Sequence, residues 1–119
     1  MPRVKRGVTT HRRHKKILAM TKGQRASRHA LYRRAHEAML KSLSYAYQHR
    51  RERKGDMRRL WILRVGAASR AQGLTYGRFM EGLRKSGVEV NRKMLADMAV
   101  REPEAFASLV TIAKEKVQG

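Results

Sequence analysis

The chain has 119 residues, no cysteine, and 29 Lys and Arg against 9 Asp and Glu, for a formal net charge of +20. Residues 1–60 carry 19 of the basic and 3 of the acidic side chains, and residues 61–119 carry 10 and 6. This excludes disulfides and thiolate metal sites, confines any ordinary hydrophobic core to the second half, and leaves the first half in need of a polyanion.

Residues 1–10 combine Pro2, Gly7 and β-branched residues with Arg3, Lys5 and Arg6. They read as an extended, locally disordered arm. With no apolar stretch behind the basic residues, they do not read as a secretory signal; composition alone leaves a mitochondrial presequence open. Residues 11–20 suit a short helix with Thr10 as N-cap, closed by Lys22 and Gly23, the glycine taking the left-handed position. Residues 1–23 thus form a basic arm with a short helix.

From Gln24 to Gln72 there is no proline, and glycine occurs only at 55 and 66. Good helix formers dominate, so the spacing predicts one long basic helix over 24–72, with a bend or break near Gly55. Leu31, Ala35, Ala38, Met39 and Leu43 make a weak apolar stripe, and Met57, Leu60, Trp61, Val65 and Ala68 a stronger one. Residues 48–56 between them lack any large apolar side chain, so that stretch is solvated by phosphate rather than by protein. No apolar run approaches the roughly 18 residues of a bilayer span, and the basic segments lack the broad apolar face of a membrane-lying helix.

Residues 57–119 read as a small helical globule that shares the end of the long helix. Thr75 caps a helix with Tyr76, Phe79, Met80 and Leu83 at i, i+3, i+4, i+7, ended by Ser86 and Gly87. Asn91 caps the next, with Met94, Leu95, Met98 and Ala99 on one face. Pro103 opens a third, with Phe106, Leu109, Val110, Ala113 and Val117 in register. Trp61, Tyr76, Phe79 and Phe106 are expected in the core, and residues 88–90 are too short to matter as a strand. The fold class is all-α: a basic extended arm, a long projecting helix and a helical globule.

Residues 45–62 (YAYQHRRERKGDMRRLWI) closely resemble ribosomal protein twenty of the bacterial large subunit. So do residues 73–76 (GLTY), 79–85 (FMEGLRK), 91–97 (NRKMLAD), 2–7 (PRVKRG) and 14–16 (HKK), so that the resemblance covers essentially the whole chain. Departures stand at Gln24 and Arg25, where the family usually has an aromatic pair; at Ala26, where glycine is common; at Met57, in place of phenylalanine; and at Gly66, in place of asparagine. The resemblance implies direct binding to large-subunit (23S) ribosomal RNA and a part in assembling the subunit rather than in peptide synthesis. It also implies neighbouring ribosomal proteins as partners, a place in the cytoplasmic large subunit, and, for some members, repression of their own messenger RNA.

The candidate RNA contacts fall into sets. The arm supplies Arg3, Lys5, Arg6, His11, Arg12, Arg13, His14, Lys15 and Lys16, with Arg12, Lys15 and Lys16 on one helical face and Arg13 on another. Lys22, Arg25, Arg28, Arg33 and Arg34 follow. The rod offers His49, Arg50, Arg51, Arg53, Lys54, Arg58 and Arg59, with Tyr45 and Tyr47 either stacking on RNA or packing along the helix, a choice that Tyr32 shares. Arg84, Lys85, Arg92 and Lys93 are the globule's contribution. Arginine's planar fork holds two phosphate oxygens or stacks on a base, although any single cation on such a chain has solvation as its plain alternative. His11 and His14 lie at i, i+3 with no carboxylate or thiolate nearby to complete a metal site, so neither metal nor other cofactor is expected. No nucleophile–base pair or glycine-rich phosphate loop is present, which argues against an enzyme and a small-molecule substrate. The rival reading is a DNA-binding module: residues 75–100 have the outline of a helix-turn-helix, and the charge alone suits an architectural chromatin protein.

Overall fold

A computed structural model describes residues 1–118. Helix α1 (Gly7–Met20) is followed by a 3-10 turn (Ala26–His29), then by α2 (Tyr32–Ala71), α3 (Tyr76–Lys85), α4 (Arg92–Arg101) and α5 (Pro103–Gln118). There is no strand among the described residues, and the fold is all-α. The chain divides into two compact units, Met1–Arg51 and Glu52–Gly119, with α2 contributing to both.

In the first unit, helix begins at Gly7, earlier than expected, so only residues 1–6 precede it. Thr10 is not the cap. It lies in the first turn, its N–H donating to Arg6 O at 3.0 Å, and Arg6 holds the N-cap position without a side-chain bond. The Thr9 hydroxyl donates back to the same carbonyl at 2.9 Å, which helps the turn to form despite Gly7. Helix α1 ends at Met20, and Gly23 takes a positive φ of 86° in the turn closed by Gln24 N–H to Thr21 O. Thr21 is fully buried, its hydroxyl bonded to the Leu18 carbonyl at 3.2 Å, and Ala35 of α2 is buried as well. The His14 ring lies 3.7 Å from that of Tyr32, nearly parallel, joining α1 to the start of α2.

The expected 49-residue helix is therefore shorter at its N-terminal end. Residues 24–31 form instead a bend and the 3-10 turn, entered through Ala26 at φ 59° and closed by His29 Nδ1 against Gln24 O at 2.9 Å. Helix propensity favours these residues for α2; the stack of His14 on Tyr32 requires the chain to turn back first. Gly55 causes no break, and helix runs through it and Asp56. The roughly 1 kcal/mol a glycine costs in a helix interior is small beside the cooperativity of 40 residues in one helix. Gly66 is likewise accommodated; it is buried, and its carbonyl accepts from the Ser69 hydroxyl at 3.2 Å.

The second unit holds the core: Val65 of α2, Phe79 and Leu83 of α3, Leu95 and Ala96 of α4, and Phe106, Val110 and Ala113 of α5. Burying each large apolar side chain contributes about 1.5–3 kcal/mol. The Phe79 and Phe106 rings meet at 5.2 Å with a 43° tilt, a favourable aromatic geometry. Helices α2 and α3 end alike. Gly73 (φ 81°) and Gly87 (φ 72°) sit just past the helix, and Leu74 N–H to Ser69 O and Val88 N–H to Leu83 O close paired Schellman motifs. Leu74 and Val88 then pack on the core. Asn91 caps α4 with its Oδ1 accepting from Met94 N–H at 2.9 Å. Thr75 holds the N-cap position of α3 with an extended backbone, but its hydroxyl makes no cap bond.

Two core assignments change. Trp61 and Tyr76 are only partly buried, at the rim of the cluster. On α4 the inward arc is Leu95, Ala96 and Ala99, while Met94 is 54% exposed.

Candidate nucleic-acid interface

The cations of the first unit stand outward. Arg3, Lys5 and Arg6 are exposed on the non-helical end, and His11, Arg12, Arg13, Lys15 and Lys16 are exposed around α1. His14 is the exception, half-buried in its stack on Tyr32. Lys22, Arg25 and Arg28 are exposed around the turn, and Arg33 and Arg34 in the first turn of α2. The turn and α2 frame a cleft of about 430 Å³ lined by Gln24, Arg28, Arg34, Glu37, Ala38, Lys41 and Ser42.

Along α2, Tyr45, Tyr47, His49, Arg50, Arg51, Arg53, Lys54, Arg58 and Arg59 are all exposed. Two ladders follow the helical register. In one, Lys41 Nζ lies 4.9 Å from the Tyr45 ring centre, Tyr45 stacks on His49 at 5.6 Å, and Arg53 comes next at i+4. In the other, the Arg51 guanidinium lies 4.3 Å from the Tyr47 ring, with Lys54 and Arg58 succeeding it. Helical geometry sets these ladders on different sides, so cation and aromatic surface are presented in more than one direction. The open choice for the tyrosines thus divides: Tyr32 is committed to packing against His14 and His36, while Tyr45 and Tyr47 keep exposed ring surface.

Little of this charge is neutralised internally. Arg34 pairs with Glu37 at 3.6 Å and Arg59 with Asp56 at 3.4 Å, both exposed, and such surface pairs are each worth at most about 1 kcal/mol. Three carboxylates cannot balance 19 cations in residues 1–60.

In the second unit, Arg84 and Lys85 are exposed at the end of α3, and Arg92 and Lys93 at the start of α4. Lys85 bridges to Glu81 at 3.0 Å, with Arg78 on the other carboxylate oxygen at 3.5 Å. The hydrogen bond from Lys85, reinforced by its charge, lowers the Glu81 pKa from the ordinary glutamate value. Arg92 Nε donates to the Tyr76 hydroxyl at 2.9 Å, tying α4 to α3. Helix α3 packs most extensively on α5, and α4 packs on α5 as well. Lys41 and Arg64 lie outside the contacts expected from sequence. Their positions at i−4 from Tyr45 and i+3 from Trp61 were the available signal.

Among the described residues there is no cluster of three or more potential metal ligands, and no helix is long and apolar enough to cross a membrane.

The sequence pattern of the family described as ribosomal protein L20 matches residues 3–109. The chain belongs to that family. It is 58% identical over 113 residues to the large ribosomal subunit protein bL20 of Dehalococcoides mccartyi, covering 95% of each chain. The bL20 protein of Moorella thermoacetica is 59% identical over 117 residues, 98% of this chain and 97% of that one. That of Thermomicrobium roseum is 59% identical over 114 residues, with 96% and 97% covered. Membership makes this chain a structural ribosomal protein of the large subunit and not an enzyme.

Proposed function

We propose that this protein binds large-subunit ribosomal RNA directly and helps to assemble the subunit, without taking part in peptide synthesis. The observation that carries this reading is the uncompensated charge of residues 1–60, displayed with exposed tyrosines around α1 and α2. Phosphate neutralisation supplies the affinity, and side chains on several faces engage separate RNA segments. The cations of α1, the turn after it and mid-α2 carry most of the contacts. Arg84, Lys85, Arg92 and Lys93 add a smaller, more rigid surface that reads RNA shape. Neighbouring ribosomal proteins complete the environment, and the protein's own messenger RNA is a further partner of the same chemistry.

A salt titration tests this. Each phosphate contact contributes about 0.7–0.9 to the slope of log K against log salt. Replacing Arg50, Arg51, Arg53 and Lys54 with glutamine is expected to remove several units of slope for binding to large-subunit RNA. The same change at Arg84, Lys85, Arg92 and Lys93 removes less. An unchanged slope in the first variant, with a large loss in the second, reverses the assignment. Preference for duplex DNA over ribosomal RNA in direct competition restores the DNA-binding reading.

A further inference from the structure

We propose that the second unit holds an unpaired RNA base in a cleft at Trp61, stacked on the indole, with its flanking phosphates met by Arg58, Arg64 and Lys93. This deepens the RNA-binding reading and rests on it.

Trp61 packs one part of its ring on the core cluster, and the rest lines two adjoining clefts of about 490 and 290 Å³. The larger lies within the roughly 300–1,000 Å³ of small-ligand sites, ample for a nucleobase with its sugar. Trp61 and Met94 give it apolar walls, and Met94 remains 54% exposed although Ala96 beside it is buried. An indole left partly open at the rim of a core offers a flat, polarisable surface on which a base can stack.

The rim chemistry selects the ligand. Arg58 and Arg64 flank Trp61 at i−3 and i+3 on α2, and Lys93 faces them from α4. None of the three has an ion-pair partner among the described residues. By contrast, Arg78 and Lys85 on α3 are held by Glu81, and Arg101 on α4 by Asp97 at 3.1 Å. Asp97, the acid lining the larger cleft, is thus already engaged. Asn91 spends its Oδ1 on the α4 cap, leaving its amide N–H groups as donors toward a base edge. An isolated phosphate has no use for the indole, and a base in a duplex cannot reach it. An unpaired nucleotide uses both the apolar floor and the cationic rim.

Trp61 is the protein's sole tryptophan, so its emission reports the site directly in the full-length chain. The probes are large-subunit ribosomal RNA and a blunt, perfectly paired RNA duplex, with binding followed independently by anisotropy of labelled RNA. Saturable quenching of Trp61 by the ribosomal RNA, in step with binding, is expected, with the duplex binding without quenching. Trp61→Leu, which keeps apolar contact with the core, is expected to weaken binding to the ribosomal RNA about ten-fold. Arg64→Gln, away from the core, is expected to weaken it less while leaving the thermal melt unchanged. Ribosomal RNA binding with unaltered Trp61 emission, or equal quenching by the duplex, overturns the base-binding cleft and leaves the phosphate-based reading standing. Absence of binding by either RNA overturns both.

Discussion

Gly82 is the position at which packing and local propensity disagree most sharply. It lies in α3, fully enclosed, where α3 meets α5. A Cβ placed there would stand 2.7 Å from the Ala113 Cα and 2.8 Å from its Cβ, with the Ala113 carbonyl oxygen closer still. Two of these three atoms are backbone, so no rotamer change relieves the contact. Carbon atoms prefer about 3.5–4.0 Å, so the helices must part by on the order of 1 Å, and a gap of that size forfeits a quarter to a half of each dispersion contact. The contacts at risk include those of Phe79, Leu83, Phe106 and Val110, the centre of the core. Overpacking of this kind costs about 1–3 kcal/mol, and the backbone origin of the clash points to the upper end. Alanine regains about 1 kcal/mol of helix propensity. Gly82→Ala is therefore expected to destabilise the protein by about 2 kcal/mol, a fall in Tm of about 8–16 °C for a unit of this size. Gly77 is the internal control: it lies in the same helix, and a Cβ added to it would meet nothing within 4 Å, so Gly77→Ala is expected to stabilise by up to about 1 kcal/mol. Adding Ala113→Gly to Gly82→Ala does not restore stability, because the Cα and carbonyl contacts persist. Urea and thermal denaturation followed by far-ultraviolet circular dichroism measure all three. A Gly82→Ala protein as stable as the parent would show that the close approach of α3 and α5 is not a constraint.

Ala26 occupies the left-handed region at φ 59°, which costs an L-residue about 1–2 kcal/mol, so Ala26→Gly is expected to stabilise the first unit by up to about 1 kcal/mol after the glycine's larger unfolded-state entropy is subtracted. Native-state hydrogen exchange at α1 and the first turns of α2 reads this, and slower exchange in Ala26→Val than in the parent would contradict it. Glu81, its pKa lowered first by the hydrogen bond from Lys85, makes a contribution that is fully present above the unfolded glutamate pKa and lost as pH falls through the lower folded value. A carboxyl titration by NMR is expected to place Glu81 below an unpaired glutamate such as the same residue in Lys85→Met, and identical midpoints in the two proteins would remove the pair from the account.

Much of the architecture is legible in the sequence because its signals are local. Gly23 and Gly87 mark helix ends and take positive φ there; Asn91 caps α4 with its side chain, and Pro103 opens α5. The register of Phe79 and Phe106 points to the core, and both are buried there. Local signals also mislead. Thr10 and Thr75 have the chemistry of caps, yet neither hydroxyl makes a cap bond: Thr10 lies inside the turn that begins after Arg6, and Thr75 holds the N-cap position in the same extended backbone as Asn91 without the bond that Asn91 makes. Good helix formers over residues 24–31 point to helix, while the His14–Tyr32 stack needs a reversal there.

The candidate site divides in the same way. Charge is a property of composition, and an excess of 16 positive charges in 60 residues has no internal remedy, so exposure of the cations follows from the chain itself. Which cations are committed does not. Lys85 and Arg101 find carboxylates one helical turn away, while Arg58, Arg64 and Lys93 converge on Trp61 from segments some 30 residues apart. By itself the sequence determined the all-α class, the division of charge, the helix stops and the family, because each rests on residue chemistry or on neighbours within a turn. Only the tertiary structure decided that Trp61 stays half open, that Met94 faces out while Ala96 faces in, and that Gly82 must remain glycine. Those outcomes depend on which surface α4 and α5 present to α2 and α3, and contacts between distant segments leave no period in the sequence to read.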